Sequence, residues 1–201
     1  MNSTTLRPSI GAAAALILCS CLPSQMQGYP QEMRVEGTYT HRHLKLVFPP
    51  RIGEFERVDI AEYAPDEGNV SVGYNLDRLN VAYTVYMSRL SDKYTLEEVA
   101  SGASQSIEEL YEDTERVSEE DILFKDAISG KRFLFTLKHP EQGGHSYSEL
   151  HLFKLSDEWW VKYRITYPIA SPVEARDQIE FIIDAIEDTY DADQTGRAAA
   201  S

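Results

Sequence analysis

The sequence predicts an α+β fold, an antiparallel β-sheet packed against two main amphipathic helices. Three observations carry this expectation. Several segments alternate apolar and polar residues with a period of two, as in WWVKYRITYP over 159–168. Two other segments space their apolar residues three and four apart. The strands are grouped ahead of each helix rather than alternating with helices one by one, which favours antiparallel pairing.

The first strand expected in the folded part is FERVDIAEY, Phe55 to Tyr63, closed by the turn formers Pro65-Asp66-Glu67-Gly68-Asn69. Val70 to Tyr74 and Val81 to Leu90 complete a meander. In the last of these, Val81, Tyr83, Val85 and Met87 share one face, and Ala82, Thr84 and Tyr86 the other. A helix follows from Thr95, which forms a capping box with Glu98. Its stripe runs through Leu96, Val99, Ala100, Ala103, Ile107, Leu110 and Tyr111. Strands are then expected over Ile122 to Ile128, Lys131 to Lys138, Tyr147 to Leu155 and Glu158 to Tyr167, with turns at Gly130, Gly143-Gly144 and Ser156-Asp157. In the last strand Trp159, Val161, Tyr163 and Ile165 alternate with Trp160, Lys162, Arg164 and Thr166, so one face carries cations. A second helix opens at Ser171 with Pro172 at its first position and Glu174 completing a capping box; Ile179, Ile182, Ile183 and Ile186 form its stripe.

Outside this core the chain reads as address and linker. Arg7 is followed by an apolar stretch from Ile10 to Leu18 that contains four alanines, Ala12 to Ala15. That is the layout of a secretory signal, and it is far shorter than the roughly 20 residues a spanning helix needs. Leu18-Cys19-Ser20-Cys21 has the pattern of a bacterial lipobox, with Cys21 as the lipidated residue because the small Ser20 precedes it. Residues 1–20 are then a signal peptide. Multiple acyl chains on Cys21 would hold the mature chain stably at a membrane. Leu22 rather than Asp at the next position points to the outer membrane in enteric-type bacteria. An ordinary cleaved signal with incidental cysteines is the plainer alternative. Residues 21–34, rich in Pro, Gln and Ser, read as a flexible tether, 35–190 as one α+β domain, and 191–201 as a disordered tail.

Composition narrows the partners. The net charge is −14, and removing Arg7 with the signal makes it −15. So acidic a chain repels phosphate backbones and anionic headgroups, which excludes nucleic acid as a partner and leaves the lipid as the membrane attachment. No cysteine follows Cys21, so the mature chain has no internal disulfide. Twelve tyrosines and two tryptophans give the core a strong aromatic share.

The stretches FPPRIGEFERVDIAEY (Phe48 to Tyr63), NVSVGYN (Asn69 to Asn75), VAYTVYM (Val81 to Met87) and WWVKYRITYP (Trp159 to Pro168) resemble a group of proteobacterial envelope proteins. The order of hairpins, long helix, hairpins and C-terminal helix resembles the PsbP-like fold, which includes small bacterial lipoproteins of the DcrB type. The resemblance spans about residues 44–188 and rests on packing and turn patterns. It implies a binding or assembly accessory, and it carries no catalytic residue set onto this chain.

Motifs for chemistry are sparse. Ser129-Gly130-Lys131-Arg132 lacks the first glycine and the Ser/Thr of a phosphate loop and reads as a hairpin turn. Gly102-Ala103-Ser104 lies inside a helix and makes no nucleophile elbow. The tail starting at Asp191 has no bidentate Glu to close a calcium loop. His41 and His43 would share a strand face, and His139, Glu141, His145 and Glu149 would lie in or beside one hairpin loop, but neither set has an established metal spacing. Glu112-Asp113 and Glu119-Glu120-Asp121 read as solvated carboxylates. No cofactor or metal is expected. The binding residues singled out are Tyr74, Tyr86, Trp160, Lys162 and Arg164, an aromatic and cationic patch expected on the outer sheet face and suited to an interface. The expectation is a non-catalytic, periplasm-facing lipoprotein that engages an envelope protein. Its alternative is a carrier of a small apolar ligand in a pocket between sheet and helix. A hydrolase would require a cleft joining His139 or His145 to carboxylates.

Overall fold

The computed structural model describes residues 30–111, 113–138 and 144–190. The strands are β1 (Gln31–Glu32), β2 (Tyr39–Thr40), β3 (Val47–Phe48), β4 (Arg51–Ile52), β5 (Phe55–Ala64), β6 (Asn69–Leu76), β7 (Val81–Arg89), β8 (Glu115–Phe124), β9 (Ile128–Lys138), β10 (His145–Lys154) and β11 (Trp159–Pro168). The helices are α1 (Leu96–Leu110) and α2 (Pro172–Glu187). The α+β expectation holds at this level: the main sheet is antiparallel throughout, in the order β1-β5-β6-β7-β11-β10-β9-β8, with β4 paired to β5. β2 and β3 form a separate two-stranded arm. Two meanders, β5–β7 and β8–β11, meet at a central β7–β11 pair.

Each sheet face has its own core, because the strands alternate their side chains. One face carries Val70, Val72, Tyr74, Val85, Tyr163 and Ile165, packed with Ile179, Ile182 and Ile186 of α2 and with Leu46 and Phe48 of the arm. Burying each isoleucine contributes about 1.5–3 kcal/mol. The opposite face carries Phe133, Phe135, Leu150, Leu152 and Trp160 under Ala100, Ala103 and Ile107 of α1. Small residues on α1 let it lie close over β9 and β10. Among the described residues no helix is long and apolar enough to cross a membrane.

The α1 capping box forms as expected: Thr95 Oγ1 accepts from the Glu98 N–H, and the Glu98 carboxylate accepts from the Thr95 N–H. Leu110, expected in the buried stripe, instead lies exposed at the last turn. At α2 the expected Ser171–Glu174 box is absent, because Glu174 pairs with Arg78 and Ser171 makes no side-chain cap. Its anchoring falls to Pro172 and the apolar stripe, of which Ile183 is only partly buried.

Two boundaries differ from the sequence reading. Gln31 and Glu32, placed in the tether, pair with Glu62 and Ala61 of β5. The expected strand from Ile122 to Ile128 is the end of β8, a turn and the start of β9. The turn is made by Lys125 and Asp126, both left-handed (φ 50° and 56°), closed by the Ala127 N–H donating to the Phe124 carbonyl. Phe124 pairs with Ile128, so the loop has three residues, 125–127, and its left-handed pair is built here without glycine.

Gly130, expected at a turn, therefore lies inside β9. A Cβ there would overlap the Phe153 ring and stand 2.7 Å from the Leu152 carbonyl oxygen. Gly130→Ala should destabilise the chain by about 1–3 kcal/mol. A urea midpoint equal to wild type would show that Phe153 has room to move.

Of the termini, Cys21 with residues 1–29, and the tail 191–201, lie outside the described residues, as do His139, Glu141 and Gly143.

Candidate functional site

The sheet face beneath α1 is apolar over β9 and β10 and polar over β5, β6, β7 and β11. Strand register builds the polar part in two rows. Asp59, Gly73, Thr84 and Arg164 pair in succession across β5, β6, β7 and β11, and Ala61, Ser71, Tyr86 and Lys162 form the neighbouring row. Gly73 lets the Asp59 side chain fold over the sheet, since a Cβ at 73 would overlap the Asp59 carboxylate. Tyr63 closes the far side against Tyr86, with the Ser71 hydroxyl 3.4 Å from the Tyr63 hydroxyl. Tyr111, just past the end of α1, closes the other side.

Lys162 and Arg164 are each only 8% exposed. Buried cations are expensive unless paired. The described ion pairs of the chain use other cations, among them Arg42, Arg51, Arg78, Arg89, Arg116, Lys131 and Arg132. The cluster cations rest on rings instead: Lys162 Nζ lies 4.1 Å from the Tyr86 ring centre, and the Arg164 guanidinium carbon 5.7 Å from that of Tyr111. Both Nη atoms of Arg164 are buried without a hydrogen-bond partner, as are the Tyr86 hydroxyl, the Trp160 indole N–H and one Asp59 carboxylate oxygen. Such a concentration of unmet donors is rare in a folded chain.

Burial sets the electrostatics. It pushes the Lys162 ammonium down to about 7, with the Arg164 charge adding to the effect. It also lowers Arg164, with Tyr111 and Tyr86 acting in the opposite direction. Asp59 is raised by burial against the pull of the Gly73 N–H. The Tyr86 hydroxyl is raised mainly by burial. The cluster is thus a buried, donor-rich part of the sheet that carries the Lys162 and Arg164 cations against aromatic rings.

The structure brings Tyr86, Trp160, Lys162 and Arg164 onto one sheet face, as expected, but buries them, so the open surface patch is not what forms. Tyr74 is corrected outright. It alternates with Ser71 and Gly73, belongs to the α2 core and donates its hydroxyl to the Pro49 carbonyl at 2.7 Å. Asp59, Tyr63, Ser71 and Tyr111 were missed; Gly73 in a strand interior was the one signal of a close approach there.

The histidine expectations also change. His41 and His43 lie on the turn between β2 and β3, not on a strand face. Both pack on Trp159, with ring centres 5.2 and 5.0 Å away. His41 is fully buried, and burial pushes it down to about 4 despite the Glu67 carbonyl beside it. Together with Tyr39 and Arg42, this turn holds the left-handed Asp66 and Glu67 of the β5–β6 hairpin: the Tyr39 hydroxyl and the Arg42 N–H both donate to the Glu67 carboxylate. Glu149 is not a loop residue. It is buried in β10, accepts from the Tyr167 hydroxyl at 2.6 Å and from Arg132 at 2.9 and 3.0 Å, and lies 2.9 Å from His151 Nε2. Glu119 and Asp121 pair with Lys131, and Glu120 with Arg132, along the edge strand β8. Among the described residues no three His, Cys, Asp or Glu side chains converge as a metal site.

No family model matches the chain, and no curated protein does. Among solved structures, a protein of unknown function from Pseudomonas aeruginosa, PA94, suggested to be a regulator, superposes with a TM-score of 0.44 at 8% identity, covering 78% of this chain and 95% of that one. A likeness at that level carries no argument about fold family or function.

Proposed function

We propose that this chain is a lipid-anchored, periplasm-facing binding module of the bacterial envelope, of the PsbP-like accessory kind, that works without catalysis. The observation that carries the binding part is the burial of Lys162 and Arg164 beside aromatic rings, with both Arg164 Nη atoms unpaired. An arrangement that costs stability is kept where it serves recognition. Support for the envelope part comes from the Leu18-Cys19-Ser20-Cys21 segment. The outer membrane is the expected location, from Leu22. The α2 face is a well-filled apolar core, which leaves the α1 face as the side for recognition.

The carrier reading would need a ligand space on this face, where the polar cluster lies beside the end of α1. Its lining disfavours an apolar ligand, because such a ligand would leave the Arg164 and Trp160 donors unmet.

Metabolic labelling with palmitate tests the anchor. The wild-type chain should incorporate label and fractionate with membranes, and Cys21→Ala should do neither. An unlabelled, soluble wild type would end the envelope reading. Crosslinking in whole envelopes tests the partner: a discrete adduct that survives stringent washing is expected, and its repeated absence would count against a protein partner.

A further inference from the structure

We propose that the outer edge of β8 docks a basic, extended segment of a partner protein, which adds to the sheet as a further strand. This goes beyond the α1-face reading, because β8 ends the sheet three strands away from the β11 cations.

The two sheet edges are built differently. At one end the short strands β1 and β4 both pair with β5 and cover part of its outer edge. At the other, β8 runs for ten residues and, among the described residues, pairs with β9 alone. All of its residues except Phe124 are exposed or half-exposed, so no element covers it. Its register with β9 is continuous from Ser118 to Phe124, after a shift between Arg116 and Ser118. Every second backbone N–H and C=O along such an edge faces outward, and this is the template an added strand uses.

Charge selects the strand. β8 carries Glu115, Glu119, Glu120 and Asp121 against one cation, Arg116. Arg116, Lys131 and Arg132 reach toward these carboxylates, but Glu97, Glu108 and Glu149 share the same three cations. The edge stays acidic, with the Asp121 and Glu120 side chains 83% and 53% exposed. Charges on an edge strand also guard it against self-pairing. Two copies of β8 paired antiparallel about Glu120 would set Glu119, Glu120 and Asp121 against one another, and like charges across strands repel. A strand with lysine or arginine at alternate positions meets the same carboxylates with attraction. The edge therefore disfavours a second copy and favours a basic strand.

Apolar surface adds to this. Val117 and Leu123, toward the two ends of β8, are 52% and 55% exposed. A partner segment that alternates cations with apolar residues covers them while its cations face the carboxylates.

Isothermal titration and amide exchange of the full chain in a neutral detergent test the edge. The probe is a blocked peptide of alternating lysine and valine, as long as β8. Saturable one-to-one binding is expected, with outward-facing β8 amides exchanging at least about tenfold more slowly at saturation. The glutamate–valine counterpart should not bind. A lysine–valine peptide with alternate D and L residues keeps the charge and loses the strand geometry, and should bind at least about tenfold more weakly. Glu119→Gln with Asp121→Asn should weaken the all-L peptide about three- to tenfold. Asp177→Asn with Glu180→Gln, exposed on α2, should leave it unchanged. If the β8 pair of substitutions fails to fold, the D,L peptide on the wild-type chain still decides. The proposal is overturned if the lysine peptide does not bind, if the D,L peptide binds as tightly, if protection appears away from β8, or if the chain dimerises through β8 without peptide. Its failure would leave the envelope anchor and the α1-face reading standing.

Discussion

Glu149→Leu is expected to destabilise the chain by about 3–5 kcal/mol, because it removes one partner of a buried ion network and strands the others. The carboxylate is held by Tyr167, Arg132 and His151, and Arg176 reaches the same Tyr167 hydroxyl at 3.3 Å. Deleting it leaves the Arg132 fork and the Tyr167 hydroxyl without their acceptor. Burial opposes ionisation of Glu149, but the hydrogen bonds from His151 and Tyr167 and the Arg132 charge outweigh it and hold the carboxyl at about 2. A group depressed in the folded state contributes stability above its unfolded value, near 4.5, and loses it as pH falls through about 2. Wild type should therefore lose roughly 3 kcal/mol relative to Glu149→Leu across that window. His41 titrates between 6.5 and about 4 and lowers stability on acidification in both proteins, so their difference isolates Glu149. Urea unfolding at pH 7, 4.5 and 2.5 measures this. A variant within 1 kcal/mol of wild type at pH 7 would mean that the network is energetically idle.

Lys162→Met has the opposite expected sign, a gain of about 1–3 kcal/mol at pH 6. Methionine keeps the unbranched stem that packs on Tyr86 and removes the buried charge. The sign follows from the folded state's weaker hold on the proton. Lys162 titrates near 7 when folded and at 10.5 otherwise. Below 7 both states bind the proton and the full burial cost stands. As pH rises from 7 to 10.5 the folded state has already released it, wild type gains stability, and the advantage of methionine shrinks. Thermal unfolding at pH 6 and pH 10 should show a large difference at the first and a small one at the second. A methionine variant less stable than wild type at pH 6 would show that the cation–ring contact outweighs the cost of burial.

The two substitutions separate what the sequence discloses from what it hides. Alternation in VAYTVYM and WWVKYRITYP separates Val85 from Tyr86 and Tyr163 from Lys162 within each strand, while the pairing of Tyr86 with Lys162 comes only from the register. The Thr95–Glu98 capping box is equally legible, since it is local. What covers a sheet face is not local. Lys162 and Arg164 look solvent-facing in the strand pattern because a period of two reports the polar side, not whether α1 and Tyr111 close over it. Tyr74 differs for a simpler reason: Val72 and Val70, two and four residues before it, already assign it to the core face. The β8–β9 turn escaped notice because Lys125-Asp126 adopts the left-handed pair that glycine and asparagine usually announce. The failed box at Ser171 shows the reverse error, in which a good local motif gives way because Arg78, distant in sequence, draws Glu174 aside.

The central β7–β11 pair also governs the order in which the chain can fold. β7 pairs at once with β6 but finds its second partner only after α1 and three further strands have been laid down, and β11 is the last strand among the described residues. Until then the β5–β7 meander ends in an open edge at what will be the middle of the sheet. Pairing across so long a loop is slow, because its closure entropy must be met before the contacts form. Under the proposed export, a chain threaded through a membrane from its N-terminus would keep that edge of β7 unpaired until β11 emerged.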